Sequence, residues 1–324
     1  MERLLEIKDL HTYFYTDTGI SRAVEGVSFN IRRAETLGLV GESGCGKTVS
    51  ALSVMRLVPS PAGEIVKGEI VFKRGNLLRL SEPQMRAIRG RDIGMIFQEP
   101  MSSLNPLYTI GYQIQEALLA HKETTKNRLK EQVVQLLEKV EIPSADKRYS
   151  DYPHQLSGGL RQRAMIAQAL ACNPSLLIAD EPTTALDVTI QAQILELFLR
   201  LKETEGLSIL LITHDLGIVA EVADRVCIMY AGRIVEEANV ATIFNKARHP
   251  YTQGLLRSIP AAHSKHGQRL LAIPGAVPHP ADKPAGCPFH PRCDKADERC
   301  QRELPAYEEI ESGHKVSCWN WKKT

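Results

Sequence analysis

Thr36-Leu37-Gly38-Leu39-Val40-Gly41-Glu42-Ser43-Gly44-Cys45-Gly46-Lys47-Thr48 decides how this chain is read. Its first five residues form an apolar run of the length of one buried strand in a parallel sheet. The next eight fit G-x-x-x-x-G-K-[ST], the spacing of a phosphate-binding loop. Gly41, Gly44 and Gly46 let consecutive backbone N–H groups wrap a phosphate chain without Cβ clashes, and Ser43 and Cys45 add further amides. A helix running from Lys47 to about Leu57 points its positive end at the same anion. Lys47 reaches the β- and γ-phosphates, and Thr48 ligates Mg²⁺. A buried strand before the loop and a helix after it are the context this mechanism requires.

Outward from the loop, strands and helices alternate. Residues 4–10 and 24–31 read as strands, and 175–180 as a buried strand ending in acids. Residues 188–201 are helical, with Ile190, Ile194, Leu197, Phe198 and Leu201 on one side. Residues 207–213 form another strand, and 225–230 and 233–237 form a hairpin around Ala231-Gly232. The stretch from about 100 to 172 is mostly helical; Leu129, Val133, Leu136, Leu137 and Val140 share one face. This alternation predicts an α/β fold with a mainly parallel sheet. After about residue 260 the composition turns to Pro, His and Cys with little periodicity. The expected domains are therefore 1–260 and 261–324.

Ile178-Ala179-Asp180-Glu181 supplies the chemistry that a phosphate loop needs. A carboxylate ending a buried strand suits Asp180 to Mg²⁺. Glu181, one residue on, is placed to polarise an attacking water as general base. An acidic pair after a strand serves as often to cap a helix; the upstream loop favours the nucleotide reading. In Leu156-Ser157-Gly158-Gly159-Leu160-Arg161-Gln162-Arg163, Ser157 is a good N-cap, and Gly158 and Gly159 expose the first-turn amides of a following helix. That makes a second anion site in the same chain.

This last motif closely resembles the signature of ABC-transporter ATPases, and the resemblance spans roughly residues 4 to 260. It implies an ABC-type P-loop ATPase with a RecA-like core, an antiparallel β subdomain and a helical signature subdomain at about 100–172. Gln98, in Met95-Ile96-Phe97-Gln98-Glu99-Pro100, resembles the Q-loop glutamine that senses Mg²⁺ and water and touches the membrane partner. Asp187, in Ala185-Leu186-Asp187, resembles the D-loop residue facing the other subunit. His214 resembles the switch histidine at the γ-phosphate. An aromatic near the N-terminus stacks on adenine in that family; Phe14 stands at the expected place, with Tyr13 and Tyr15 competing. The family's two anion sites make sense in a head-to-tail pair, each ATP lying between one chain's loop and its mate's signature helix.

Further stretches narrow the resemblance to the ATPases of dipeptide, oligopeptide and nickel importers. They are residues 98–106, 152–159 and 249–256, Ile273-Pro274-Gly275, and Gly286-Cys287-Pro288-Phe289-His290-Pro291-Arg292-Cys293. Their implied partners are a paralogous ATPase in a heterodimer, two transmembrane permease subunits and an extracytoplasmic peptide-binding protein. The alternatives are import of nickel or another solute, or a soluble ABC-fold ATPase outside transport, such as one acting on ribosomes or DNA. Such proteins usually carry two cassettes or a long coiled-coil insertion, and this chain shows neither.

Cys287, Cys293, Cys300 and Cys318 fall within the last 38 residues at C-x5-C-x6-C-x17-C. In a reducing cytosol such a cluster reads as a metal site before disulfides. Four thiolates suit tetrahedral zinc or an iron–sulfur cluster. The absence of paired C-x2–4-C knuckles, and the resemblance to importer ATPases with such tails, point to [4Fe–4S], with Zn²⁺ and free thiols as alternatives. His290 and His314 are substitute ligands. Cys45, within the loop, is either a small residue that fits there or a thiol activated by the helix N-terminus.

With 43% hydrophobic and 24% charged residues, and a net charge of +2 in 324 residues, nothing calls for a nucleic-acid partner. No signal peptide and no run of ~20 apolar residues is expected. The resemblance to importer ATPases then implies a peripheral place on the cytoplasmic face of the membrane, held by the permeases.

Overall fold

The computed structural model describes residues 2–17, 19–98, 103–121, 128–184, 186–259 and 273–323. The chain opens with β1 (Arg3–Thr16), β2 (Gly19–Arg32), β3 (Thr36–Val40), α1 (Lys47–Met55), β4 (Gly63–Phe72), β5 (Gly75–Asn76), α2 (Glu82–Ile88) and β6 (Ile93–Ile96). Helices α3 (Ile110–Ala120), α4 (Leu129–Lys139), α5 (Ala145–Arg148) and α6 (Gly158–Ala169) follow. Next come β7 (Leu176–Asp180), α7 (Val188–Glu205), β8 (Ser208–Thr213), α8 (Leu216–Val222), β9 (Arg225–Tyr230) and β10 (Arg233–Asn239). The last elements are α9 (Val240–Lys246), α10 (Pro250–Arg257), α11 (Glu298–Arg302), β11 (Glu308–Glu311) and β12 (His314–Val316). The expected domain boundary near residue 260 lies outside the described residues.

The chain divides into two compact units. One comprises Arg3–Ile31, Thr36–Leu78 and Ile212–Thr324, and carries the phosphate loop. Within it, β2-β1-β4-β5 form an antiparallel sheet. The first strand runs further than its alternation indicated. Asp9, at φ 46°, and a register break between Lys8 and His11 bend it while pairing continues to Phe14↔Gly63. In the same unit β3 lies parallel to β9, in register from Leu37↔Arg225 to Val40↔Ile228. All residues of both strands are buried, as continuous apolar strands of parallel sheets are. The hairpin partner β10 continues the sheet, followed by β12 and β11. The tail, read from sequence as aperiodic, thus supplies two strands and a short helix.

These elements close one core of Val40, Val219, Ile228, Tyr230, Ile243 and Tyr251, joined from the tail by Cys287, Phe289 and Cys300. Two buried acids on β10 anchor the tail's last hairpin. Glu236 accepts from the His314 ring (2.8 Å) and from the backbone N–H of Arg248 and His249. Glu237 pairs with Arg225 and accepts from the Tyr307 hydroxyl at 2.6 Å. His249 is buried deeply enough that loss of solvation lowers its pKa to about 4.

The other unit comprises Met1–Glu2, Arg32–Glu35 and Arg79–Leu211. Here β6 and β7 pair in parallel, from Ile93↔Leu176 to Ile96↔Ala179. Among the described residues, helices α3 to α6 occupy the stretch read as helical. Buried Arg163 on α6 ties this bundle together: it donates to the carbonyl of Val140 (2.7 Å), to Glu141 (2.9 Å) and to the Gln193 side chain (3.1 Å).

Candidate functional site

In the first unit, β3 ends directly in the phosphate loop. A Cβ on Gly41 would lie 2.2 Å from the Met229 carbonyl oxygen, so β9 leaves room only for glycine there. Gly46 takes φ 105° and caps α1 without a side chain, leaving the first-turn amides open to an anion. The Lys47 side chain is buried along the loop, its ammonium donating to the carbonyls of Gly41 (2.7 Å) and Glu42 (3.1 Å). Ser43, Gly44 and Thr48 face outward. Cys45 is buried and its thiol pKa is raised by that burial, against the opposing effect of Lys47. The thiol is thus a packing residue, and its backbone carbonyl accepts from Gly232 N–H at 2.9 Å. His214, exposed, follows β8, and Asp215 caps the next helix through Gly217 N–H at 2.7 Å. Phe14 lies against Gly63 across the strand pair, whereas Tyr15 is more exposed.

In the second unit, strand register does the positioning. Because Ile96 pairs with Ala179, the residues two beyond that pair on each strand meet. Gln98 Nε2 donates to Glu181 Oε2 at 3.2 Å, and Thr184 Oγ1 donates to the same oxygen at 3.0 Å. Asp180, the last residue of β7, is buried. Glu181 sits at φ 47°, a left-handed conformation that costs a non-glycine residue on the order of 1 kcal/mol. Ser157 caps α6, its hydroxyl accepting from Leu160 N–H at 3.4 Å. A Cβ on Gly159 would meet Ile190 at 2.8 Å, which keeps α6 close to α7. Asp187 caps α7, accepting from Ile190 N–H at 2.9 Å. Ala185 of the D-loop stretch, and residues 99–102 after Gln98, lie outside the described residues.

A likeness to known proteins runs along the whole chain. It is 51% identical over 98% of its length to a probable peptide ABC transporter ATP-binding protein, y4tR, of Sinorhizobium fredii, covering 94% of that protein. The chain belongs to the ABC-transporter ATPases. Within this family it is 49% identical to the dipeptide transport ATP-binding protein DppD of Bacillus subtilis, covering 98% of this chain and 95% of that one. The oligopeptide transport ATP-binding protein AppD of the same organism is 50% identical over 100% of this chain and 98% of its own. The ABC transporter family model matches residues 24–184, and that of the oligopeptide/dipeptide transporter C-terminal region matches 235–300. Among solved structures, a dimeric ATP-binding cassette, MJ0796, in a post-hydrolysis state bound to ADP and phosphate, superposes with a TM-score of 0.66. It is 26% identical, over 73% of this chain and 98% of that one.

The ATPase carries a further feature in its tail. Cys287, Cys293, Cys300 and Cys318 line a single cavity, together with His290 and Trp319. Burial pushes the thiol of Cys287 up to about 11 and that of Cys318 up to about 12, and raises Cys293 and Cys300 as well. Cys287 N–H donates to the Cys300 carbonyl at 2.8 Å, and Asn320 Nδ2 lies 3.6 Å from Cys300 Sγ. Among the described residues, no group of three or more His, Cys, Asp or Glu is arranged to hold a single metal ion. His314 lies apart from the cavity, paired with Glu236.

Sequence reasoning missed two residues that touch the loop. Tyr251 accepts from the Glu42 N–H at 3.0 Å, and Arg292 binds the Glu42 carboxylate. Tyr251 lay within a stretch quoted only for its resemblance, and nothing local in the sequence marks either contact.

Proposed function

We propose that this ATPase powers uptake of dipeptides or oligopeptides through a membrane importer. The supporting observation is the extent of the likeness: about half the residues agree with peptide-transport ATPases from end to end, and the C-terminal region fits a model built on oligopeptide and dipeptide transporters.

In this reading the loop amides and Lys47 hold the ATP phosphates, and Thr48, Gln98 and Asp180 hold Mg²⁺. Glu181, steadied by Gln98 and Thr184, polarises the attacking water as general base. His214 contacts the γ-phosphate, and Phe14 stacks on adenine. Ser157, Gly158, Gly159 and Asp187 serve the nucleotide bound to the mate's loop. Closure of the pair is driven by the higher affinity of ATP for the closed state, and hydrolysis releases it.

The mate is a paralogous ATPase, and two permease subunits and an extracytoplasmic peptide-binding protein complete the importer. The chain sits on the cytoplasmic face of the membrane through the permeases; among its described residues no helix is long and apolar enough to cross a bilayer. Residues 261–324 form a cysteine-rich extension of the 1–260 cassette.

The same reading gives the four cysteines around the tail cavity to a [4Fe–4S] cluster, with Zn²⁺ as the alternative, because their spacing lacks the paired C-x2–4-C knuckles of zinc sites. Such a cluster would cross-link the tail as a structural or redox-sensing element.

Reconstitution into vesicles with the two permeases, the paralogous ATPase and the binding protein tests the cargo. ATP-dependent accumulation of a labelled dipeptide is expected. Accumulation of nickel instead, or ATP turnover indifferent to the permeases, would overturn the reading.

A further inference from the structure

Between its first two cysteines the tail reaches into the phosphate loop. Phe289 packs its ring on Tyr230 and Tyr251, with centroids 5.2 and 5.4 Å away. Three residues on, the Arg292 side chain is only 5% exposed. Its Nε donates to the Pro274 carbonyl at 2.8 Å. Its two terminal nitrogens donate in parallel to Glu42, Nη1 to Oε2 at 2.7 Å and Nη2 to Oε1 at 3.0 Å. Nη1 also reaches the Tyr230 hydroxyl at 3.4 Å.

Glu42 is the second residue of the phosphate loop, and its backbone is equally engaged. The N–H donates to the Tyr251 hydroxyl, and the carbonyl accepts from Lys47 Nζ and from Cys45 N–H. A carboxylate at this position is a problem for a loop that must bind a polyanion, because like charges at close range repel. A planar, two-pronged guanidinium both neutralises that charge and fixes its direction.

We propose that Arg292 is a positioning residue for the ATPase reaction: by holding the Glu42 carboxylate it sets the conformation and charge of the phosphate loop, and hence its affinity for Mg-ATP. Cys287 and Cys293 bracket the Phe289–Arg292 segment, so the same short stretch that contributes to the cysteine cavity grips the loop. The inference rests on the loop's nucleotide site and needs neither the peptide cargo nor a cluster.

The test is Mg-ATP affinity of the full chain, by calorimetric titration, alongside KM and kcat for ATP. R292Q is expected to weaken affinity and raise KM by about tenfold, the loss of a charge-assisted pair, with kcat within about twofold. In an E42Q background, where the carboxylate is gone, the same R292Q change is expected to cost less than about threefold, the non-additivity of residues in contact. Unchanged affinity in R292Q, or an equal loss in both backgrounds, would overturn the proposal. If R292Q does not fold, R292K carries the test. It keeps the charge and loses the paired geometry, so it is expected to weaken binding in the wild-type background and not in E42Q. Equal behaviour in both backgrounds would again overturn the proposal. A purely structural role for Arg292 would lower the melting temperature alike in both backgrounds without separating KM from kcat.

Discussion

The phosphate loop and the cysteine tail belong to one compact unit, but their chemistry has different sources. In the loop it is the backbone that is offered: Gly46 caps α1 with no side chain and leaves the first-turn amides open. In the tail, side chains drawn from four places in the sequence border a cavity that exists only after folding. Loop function should therefore depend on the conformation of its backbone and on the few groups that act on the bound phosphates. Tail function should depend on keeping its cysteines together.

The largest expected effect lies on the catalytic side of that contrast. Glu181→Gln should lower kcat for ATP by about 10³-fold, within the range for removal of a general base, and leave Mg-ATP affinity near wild type. Steady-state turnover with a parallel binding titration checks this; normal hydrolysis would remove Glu181 from its assigned role.

On the tail side, anaerobic purification should give a brown protein with about four irons and four sulfides per chain. Cys293→Ser should lose that iron and lower the melting temperature by several degrees while the signature helix stays folded. A colourless, zinc-loaded protein would end the cluster reading and turn the tail into a different kind of site.

A smaller effect sharpens how the tail is anchored. His249 stays neutral in the folded protein down to about pH 4 but takes a proton near pH 6.5 when unfolded. The unfolded state therefore binds the extra proton in that window, and stability falls as pH falls through it, by roughly 3 kcal/mol at most. Glu236 acts in the same direction. Burial works to raise its pKa, but hydrogen bonds from His314 and from the backbone N–H of Arg248 and His249 outweigh it and leave it lowered, so its contribution is lost only below the ordinary carboxylate range. Urea melts between about pH 7 and about pH 5 should show the fall. His249→Asn, which keeps a good N-cap at α10, should flatten it.

Legibility in the sequence followed the same division. The strand, loop and helix from Thr36 to Met55 were readable because a local motif and local hydrophobicity specify them together. The β7 strand with its acids, and Ser157 as an N-cap, were readable for the same reason. The pairing of Gln98 with Glu181 was not, because it depends on the register of β6 against β7, and β6 is a four-residue strand with no pattern of its own. Strands β11 and β12 escaped notice because buried acids on β10 hold them, not an apolar face. The Arg292 contact was invisible because its partner stands 250 residues away.

In the proposed function each ATP is held by one chain's loop and its mate's signature helix. The direct measurement is ATP-driven peptide uptake by the reconstituted importer carrying Ser157→Arg in this subunit. Uptake should be lost while the isolated variant binds Mg-ATP like wild type, because its own loop is intact. Uptake at the wild-type rate would contradict it.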